Sequence, residues 1–181
     1  MTATGSLDKE LARRRFNAVV LPHLDDAYSF AKGLARNGAD AEDIVQDACL
    51  RALAALETRE VEHPRAWLLT IVRNVALTHL ARRKAAQVAG DIGDLERDGA
   101  LSAQEPSPNA EAQLIAADES ATLRRAFAGL PLALRETLAL RVLHGLSYRD
   151  ISAATDAPIG TVMSRLARAR SALAALLGDE K

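Results

Sequence analysis

Four polar side chains recur at helical spacing near the C-terminus, where they could bind a polyanion. They are Thr161, Ser164, Arg165 and Arg168, and the last three follow the first by three, four and seven residues. Residues at these intervals share one face of a helix. Hydroxyl and guanidinium groups on such a face can donate hydrogen bonds to base edges and phosphates in a DNA major groove. The alternative is an ordinary solvated surface, because charged side chains are mostly exposed in any folded protein.

Two short helices joined by a turn would hold this polar face in place. Ser147 and Asp150 stand three residues apart, in a capping-box pattern that begins the first helix. Residues 155–157 are typical of a turn, and Pro158 suits the first position of the second helix. The apolar stripe expected to pack inward on the second helix consists of Val162, Leu166, Ala169 and Leu173.

A second polar face is predicted in the N-terminal half. Asp43, Gln46 and Asp47 fall opposite an apolar stripe from Val45 to Leu56, in a helix that Asp40 is expected to cap. A long helix over residues 64–84 follows, with Trp67 interpreted as a core residue. Its polar and cationic side chains include Arg73, Asn74, His79, Arg82, Arg83 and Lys84. Cations in such a row can follow a phosphate backbone, although each face is more simply read as solvated.

Composition indicates an all-α protein. Hydrophobic residues make up 49% of the 181 residues and aromatic residues only 3%. Alanine, leucine and arginine are abundant, and β-branched runs are few, which favours helices over strands. The apolar content is sufficient for real cores, in one domain or two small ones.

The reactive side chains exclude several classes of site. The single cysteine, Cys49, rules out an intrachain disulfide and is expected to be a buried, inert thiol. The four histidines show no ligand spacing among them and Cys49, so we predict no metal site. We also expect no cofactor and no catalytic residue. The N-terminus lacks an apolar leader and no apolar run approaches membrane-spanning length, so we expect a soluble, cytoplasmic protein without membrane insertion.

Charge divides the chain into three parts. Residues 1–84 carry 13 Lys and Arg against 11 Asp and Glu, a net of +2, and residues 119–181 carry 9 against 6, a net of +3. Residues 85–118 carry 1 against 7, a net of −6. Glycines, prolines and acids without apolar periodicity make 85–109 a flexible linker. We therefore expect two small helical domains, 1–84 and 110–181, joined by the acidic segment 85–109.

Residues 130–170 closely resemble region 4 of the sigma-70 family, the helix-turn-helix that reads the upstream (−35) promoter element. The segments 145–151 and 158–170 are most similar to the extracytoplasmic-function (ECF) branch. Asp156 stands where glycine is common in the family, and Asp suits a turn. Met163 stands where Lys or Arg is common, which removes one phosphate-binding cation.

Residues 40–53 and 64–84 resemble region 2 of the same family. The resemblance implies an alternative sigma factor, of the kind that serves stress responses, rather than an enzyme. It implies that core RNA polymerase, promoter DNA and an anti-sigma factor are the partners, and that the acidic linker threads the polymerase cleft. The implied site residues are Thr161, Ser164, Arg165 and Arg168 for the upstream element, Arg73, Asn74, His79, Arg82 and Arg83 for the melted proximal (−10) element, and Asp43, Gln46 and Asp47 for core polymerase.

Two other functions stay open at this point. A stand-alone helix-turn-helix regulator would use only the C-terminal motif and would leave residues 40–84 without a role. A sigma mimic would titrate an anti-sigma factor without binding DNA. Arg165, Arg168 and Arg170 on the second helix count against the mimic, because a chain that never meets DNA has no need of them.

Overall fold

The computed structural model describes residues 4–35, 37–88 and 121–178, and within these ranges the protein contains helices and no strands. This confirms the all-α prediction. The N-terminal unit begins with helix α1, and a short 3₁₀ turn at Leu21–His23 leads from it into helix α2. The four helices of this unit are α1 (Thr4–Val19), α2 (Leu24–Ala35), α3 (Gly38–Ala55) and α4 (Pro64–Val88).

Between residues 121 and 178 the C-terminal unit contains four α-helices and a short π-helical segment. Residues 121–129 form α5, and α6 (Leu132–Leu138) continues into one π-helical segment at Ala139–Leu143. Gly145 then takes a positive φ of 63°, which glycine adopts without steric cost. The two helices that follow the turn are α7 (Tyr148–Thr155) and α8 (Ile159–Gly178).

Small residues let α2, α3 and α4 pack closely around a few large side chains. Ala41, Ala48 and Ala52 of α3 are fully buried, as are Phe30 of α2 and Leu68 of α4. Two members of the predicted apolar stripe, Ala52 and Leu56, are buried as predicted. The rest of the stripe is displaced, because Ile44 and Ala48 are buried while Val45, Cys49 and Leu53 are only half-buried. Trp67 is partly buried against the core, as interpreted from the sequence.

Two predicted helix boundaries were wrong. Asn37, not Asp40, caps α3: its side-chain oxygen accepts a 2.8 Å hydrogen bond from the Asp40 amide. Helix α4 runs on to Val88, so residues 85–88 belong to this helix and not to a linker. Alanine, glutamine and valine can all continue a helix, and Gly90 is the first breaker in the sequence. The predicted linker from residue 89 and the start of the C-terminal domain before 121 lie outside the described residues.

The two helical units lie against each other. Helices α2 and α4 contact α6 and α7, and a single apolar cluster joins Phe30 and Leu34 of one unit to Leu140 and Leu146 of the other. Arg135, Glu136 and His144 are almost completely buried, and each bonds across to the N-terminal unit. The described chain is therefore a closed arrangement of the two units.

Candidate nucleic-acid interface

The helix-turn-helix begins with the capping box that the sequence predicts. Ser147 and Asp150 form the reciprocal capping box at the start of α7, and the Asp150 amide donates to Ser147 Oγ at 3.1 Å. Asp156 ends the helix in the left-handed conformation with φ 50°. Aspartate tolerates this region better than most residues, which explains how it occupies a position that favours glycine. Ser152 Oγ donates to the Ala157 carbonyl at 2.6 Å and fixes the turn.

This turn orients α8 so that its polar stripe is partly presented to solvent. Val162, Leu166 and Ala169 are buried, as predicted, and Leu173 packs against the same core. On the opposite stripe Ser164 and Arg168 are exposed and Thr161 is half-exposed. Arg165 differs from its neighbours, because its side chain turns towards α6 and is only 23% exposed.

Glu136 of α6 explains the orientation of Arg165 and also draws in Arg73 of α4. The carboxylate accepts hydrogen bonds from Arg73 Nε at 2.8 Å and Nη2 at 3.2 Å. Arg165 Nη1 lies 3.7 Å from the same carboxylate. One buried acid therefore faces one arginine from each of the two predicted DNA-binding sets.

The remaining predicted residues of α4 fall into two groups. Asn74 and Arg82 are exposed. His79 Nε2 lies 3.3 Å from Asp40 Oδ1, and Arg83 donates to Asp40 Oδ2, so α3 holds both side chains. Burial alone would raise the pKa of Asp40, but the Asn37 hydrogen bond and the charges of Arg83 and His79 outweigh it and lower that pKa.

The acidic face of α3 points away from all these contacts. Asp43, Gln46 and Asp47 are exposed, as the sequence predicts. Asp47 pairs with Arg51 one turn later at 3.2 Å, and both side chains are about half exposed, so this pair stabilises the helix only weakly. The face is thus available to another macromolecule while the two units are packed together.

A cavity of about 450 Å³ separates the loop before α4 from helix α7. Trp67 and Thr70 of α4 form one wall, and Asp150 and Ala153 of α7 form another. The loop residues on its border are Arg59, Glu60, Val61, Glu62 and His63. The C-terminal unit therefore covers part of the surface that α4 and its preceding loop would present.

A second charged cluster links the units beside this cavity. Arg65 donates to Asp26 at 2.6 and 2.9 Å, and His144 Nδ1 lies 3.3 Å from Asp26 Oδ1. The Arg65 hydrogen bonds lower the pKa of Asp26 although its partial burial opposes this. Burial lowers the pKa of His144, and Asp26 offsets only part of that effect. His144 also meets Phe30 edge-on, with ring centroids 5.5 Å apart.

Sequence reasoning missed Glu136, Asp26 and His144 as contact residues. None carries a local signal, because each has its partner in a different helix far along the chain. Across 4–35, 37–88 and 121–178 there is no cluster of side chains suited to a metal ion and no helix long and apolar enough to cross a membrane. Cys49 is half-buried, and burial raises the pKa of its thiol, which fits an inert role.

Both halves of this all-α, helix-turn-helix protein match described families. Residues 19–86 match Sigma-70 region 2, and residues 120–173 match Sigma-70, region 4. The ECF RNA polymerase sigma-E factor of Escherichia coli K12 is 30% identical over 164 residues, covering 89% of this chain and 85% of the relative. The RNA polymerase sigma-H factor of Pseudomonas aeruginosa is 32% identical over 167 residues, with the same coverage. The chain therefore belongs to the sigma-70 family of transcription initiation factors, in its ECF branch.

Solved structures resemble the whole described arrangement. The sigma factor RpoE of Bartonella quintana, in complex with the anti-sigma factor NepR, is 30% identical with a TM-score of 0.67, covering 93% of this chain and 99% of that one. CnrH, in complex with the cytosolic domain of CnrY, is 25% identical with a TM-score of 0.62, covering 96% and 99%. The two-domain helical fold is thus shared with the sigma factor RpoE and with CnrH.

Proposed function

We propose that this protein binds core RNA polymerase and directs promoter-specific initiation, with each helical unit reading a different form of DNA. The observation that carries the proposal is the exposed Ser164–Arg168 face of α8, presented by a capped and tightly turned helix-turn-helix. A helix held in this way can enter the major groove with its N-terminal half towards base edges. Duplex recognition of the upstream promoter element is assigned to Thr161, Ser164, Arg165 and Arg168.

The N-terminal unit would capture the non-template strand after melting. Exposed Asn74 can hydrogen-bond an unpaired base, and Arg82 can contact the backbone that leads to it. Arg73, His79 and Arg83 would join the strand-binding residues once DNA phosphates replace the carboxylates that they now contact. Bases that have left the stack cost least to bind, so such contacts stabilise the melted state without any catalytic group. Polymerase supplies the chemistry, and this chain is not an enzyme in the proposal.

Core polymerase would dock on the α3 face of Asp43, Gln46 and Asp47. All three side chains are exposed and lie on the side of the bundle opposite the buried Ile44–Ala48 stripe. Complementary charge at such a face speeds association and sets orientation. An anti-sigma factor is the other proposed partner, because the similar sigma factor RpoE of Bartonella quintana was solved in complex with the anti-sigma factor NepR.

The division of labour can be tested with two variants and two DNA substrates. Arg168→Ala should weaken binding to upstream-element duplex, whereas Asn74→Ala should leave that binding unchanged and impair opening of the proximal element. Gel shifts on duplex and permanganate footprinting with reconstituted polymerase measure the two steps. Normal melting by Asn74→Ala, or wild-type duplex binding by Arg168→Ala, would contradict the assignment.

A further inference from the structure

Met163 is an exposed apolar side chain in the half of α8 that is proposed to enter the DNA groove. It is 54% exposed, and Ile159, one turn earlier on the same stripe of the helix, is 46% exposed. Both lie in the N-terminal half of α8, which is the half that faces base edges when a helix-turn-helix binds DNA. The polar residues assigned to the upstream element leave these two side chains without a role.

The surface around Met163 is open, and its neighbours are short. A β-carbon added at Gly160 would have no neighbour within 4 Å among the described residues, apart from the adjacent part of α8. Ala167, one turn after Met163, is exposed and carries only a methyl group. Because both neighbours are this small, Met163 has the longest side chain on this patch and would be the first to touch a surface that α8 approaches.

Two exposed arginines border the patch. Arg170 follows Met163 by two helical turns, and Arg168 lies on the other side of Ala167. An exposed apolar side chain is ordinary by itself. Beside two arginines, however, it fits a ligand that combines negative charge with apolar groups. A DNA major groove is such a ligand, because phosphates line its edges and each thymine presents a C5 methyl group on its floor.

The chemistry of methionine suits a contact with a methyl group. Its thioether side chain is flexible and polarizable, so it can adapt to an apolar group in the groove. It carries no charge, so it cannot form the phosphate contact that Lys or Arg would form at position 163. The expected consequence is a lower sequence-independent affinity together with a preference for thymine over cytosine, which lacks the methyl group.

We propose that Met163 is a specificity-determining residue of the recognition helix, whose side chain packs on the C5 methyl group of a thymine in the upstream promoter element. The proposal rests on the proposed function, because it requires that α8 enters the major groove of that element. It adds an apolar contact to the polar ones assigned to Thr161, Ser164, Arg165 and Arg168.

Replacing single thymines by uracil tests this contact, because the two bases differ only in that methyl group. Core RNA polymerase assembled with the full chain would bind promoter duplexes that the wild-type protein selects from a randomised library. Competition gel shifts would then compare duplexes in which each thymine of the upstream element is replaced in turn. Burying one methyl group is worth about 0.8 kcal/mol, so uracil at the contacted position should weaken binding about fourfold. In Met163→Ala the thymine and uracil duplexes should bind with equal affinity.

Two further variants separate the methyl contact from other effects. Met163→Lys should lose the uracil effect and gain one phosphate contact, which steepens the dependence of log affinity on log salt concentration by about one. Val142→Ala is the matched control, because it shortens another exposed apolar side chain of the same unit and should keep the wild-type uracil effect. Circular dichroism establishes that each variant is folded.

Three results would overturn the proposal. Uracil could bind as tightly as thymine at every position of the element. The uracil effect could persist unchanged in Met163→Ala, which would assign the methyl contact to another side chain such as Thr161. Met163→Ala could weaken binding to core polymerase with no change in the uracil effect, which would place Met163 against protein. Failure of the proposed function has a different signature and overturns both: the wild-type complex would prefer no upstream sequence over a scrambled one.

Discussion

Replacing Asp26 with asparagine is expected to destabilise the folded chain by about 1–2 kcal/mol. Asp26 accepts two hydrogen bonds from Arg65, at 2.6 and 2.9 Å, and lies 3.3 Å from His144. The Asp26 and Arg65 side chains are 29% and 39% exposed, so solvent screens the pair. Each charged hydrogen bond therefore contributes less to the free energy of unfolding than it would in a dry interior. Asparagine keeps one acceptor oxygen, which limits the loss further.

Thermal and urea unfolding followed by circular dichroism measure this change. For a chain of this size the expected loss corresponds to a fall in Tm of roughly 2–8 °C. Asp25→Asn is the matched control, because Asp25 is the exposed neighbour in the same first turn of α2 and loses the same charge. Equal unfolding free energies for the two variants would show that the Asp26–Arg65–His144 cluster contributes nothing to stability and would refute the reasoning.

Three further predictions concern docking, DNA recognition and pH. Asp43→Arg should weaken binding to core polymerase in a pull-down while the free protein keeps its native circular dichroism spectrum; unchanged affinity would remove the α3 face from the interface. Arg168→Ala should cost about 1–3 kcal/mol of upstream-duplex affinity if the side chain contacts a guanine, whereas Arg13→Ala, an exposed charge on α1, should not. Burial lowers the pKa of His144 below its ordinary value of 6.5. The buried neutral ring therefore contributes its full stability above pH 6.5, and the free energy of unfolding declines as the pH falls below that value, by at most about 1.4 kcal/mol per pH unit. Asp26 and Arg65 face this ring, and the decline measured by urea unfolding should be shallower in His144→Gln; an identical decline would contradict the assignment.

Local spacing predicts much of this structure because helix starts and buried stripes depend on neighbouring residues. The Ser147–Asp150 capping box and the buried face of Val162, Leu166 and Ala169 are both confirmed. The turn at Asp156 is confirmed too, since its left-handed φ is tolerated by aspartate. Each of these features depends only on residues a few positions apart, so the sequence alone is sufficient to predict it.

The sequence prediction fails where two neighbouring residues are equally good helix caps, or where a side chain bonds to a residue far away in the chain. Asn37 and Asp40 are both good caps, and the chain uses Asn37, which leaves the Asp40 carboxylate free to meet His79 and Arg83 of α4. Nothing in the neighbouring sequence marks Glu136 or His144 as a contact residue. Only the packing of the two units brings Glu136 to Arg73 and His144 to Asp26. No spacing rule within a helix can identify such pairs.

The site residues for DNA and polymerase stand as predictions with a physical basis. Exposure of Asp43, Gln46, Ser164, Asn74 and Arg168 is compatible with binding. Exposure alone does not distinguish a binding face from a solvated one, because charged side chains are mostly exposed in any protein. Only contact with polymerase and promoter DNA can make that distinction.

The most direct test of the central claim is sequencing of the 5′ ends of transcripts made in vitro by core RNA polymerase on a randomised promoter library, with and without this protein. The account predicts that adding the protein yields new start sites that share two sequence elements at a fixed separation. It also predicts that Arg168→Ala weakens the sequence preference at the upstream element and that Asn74→Ala weakens the preference at the proximal element. Transcription no greater than with core polymerase alone, or start sites without shared elements, would contradict it.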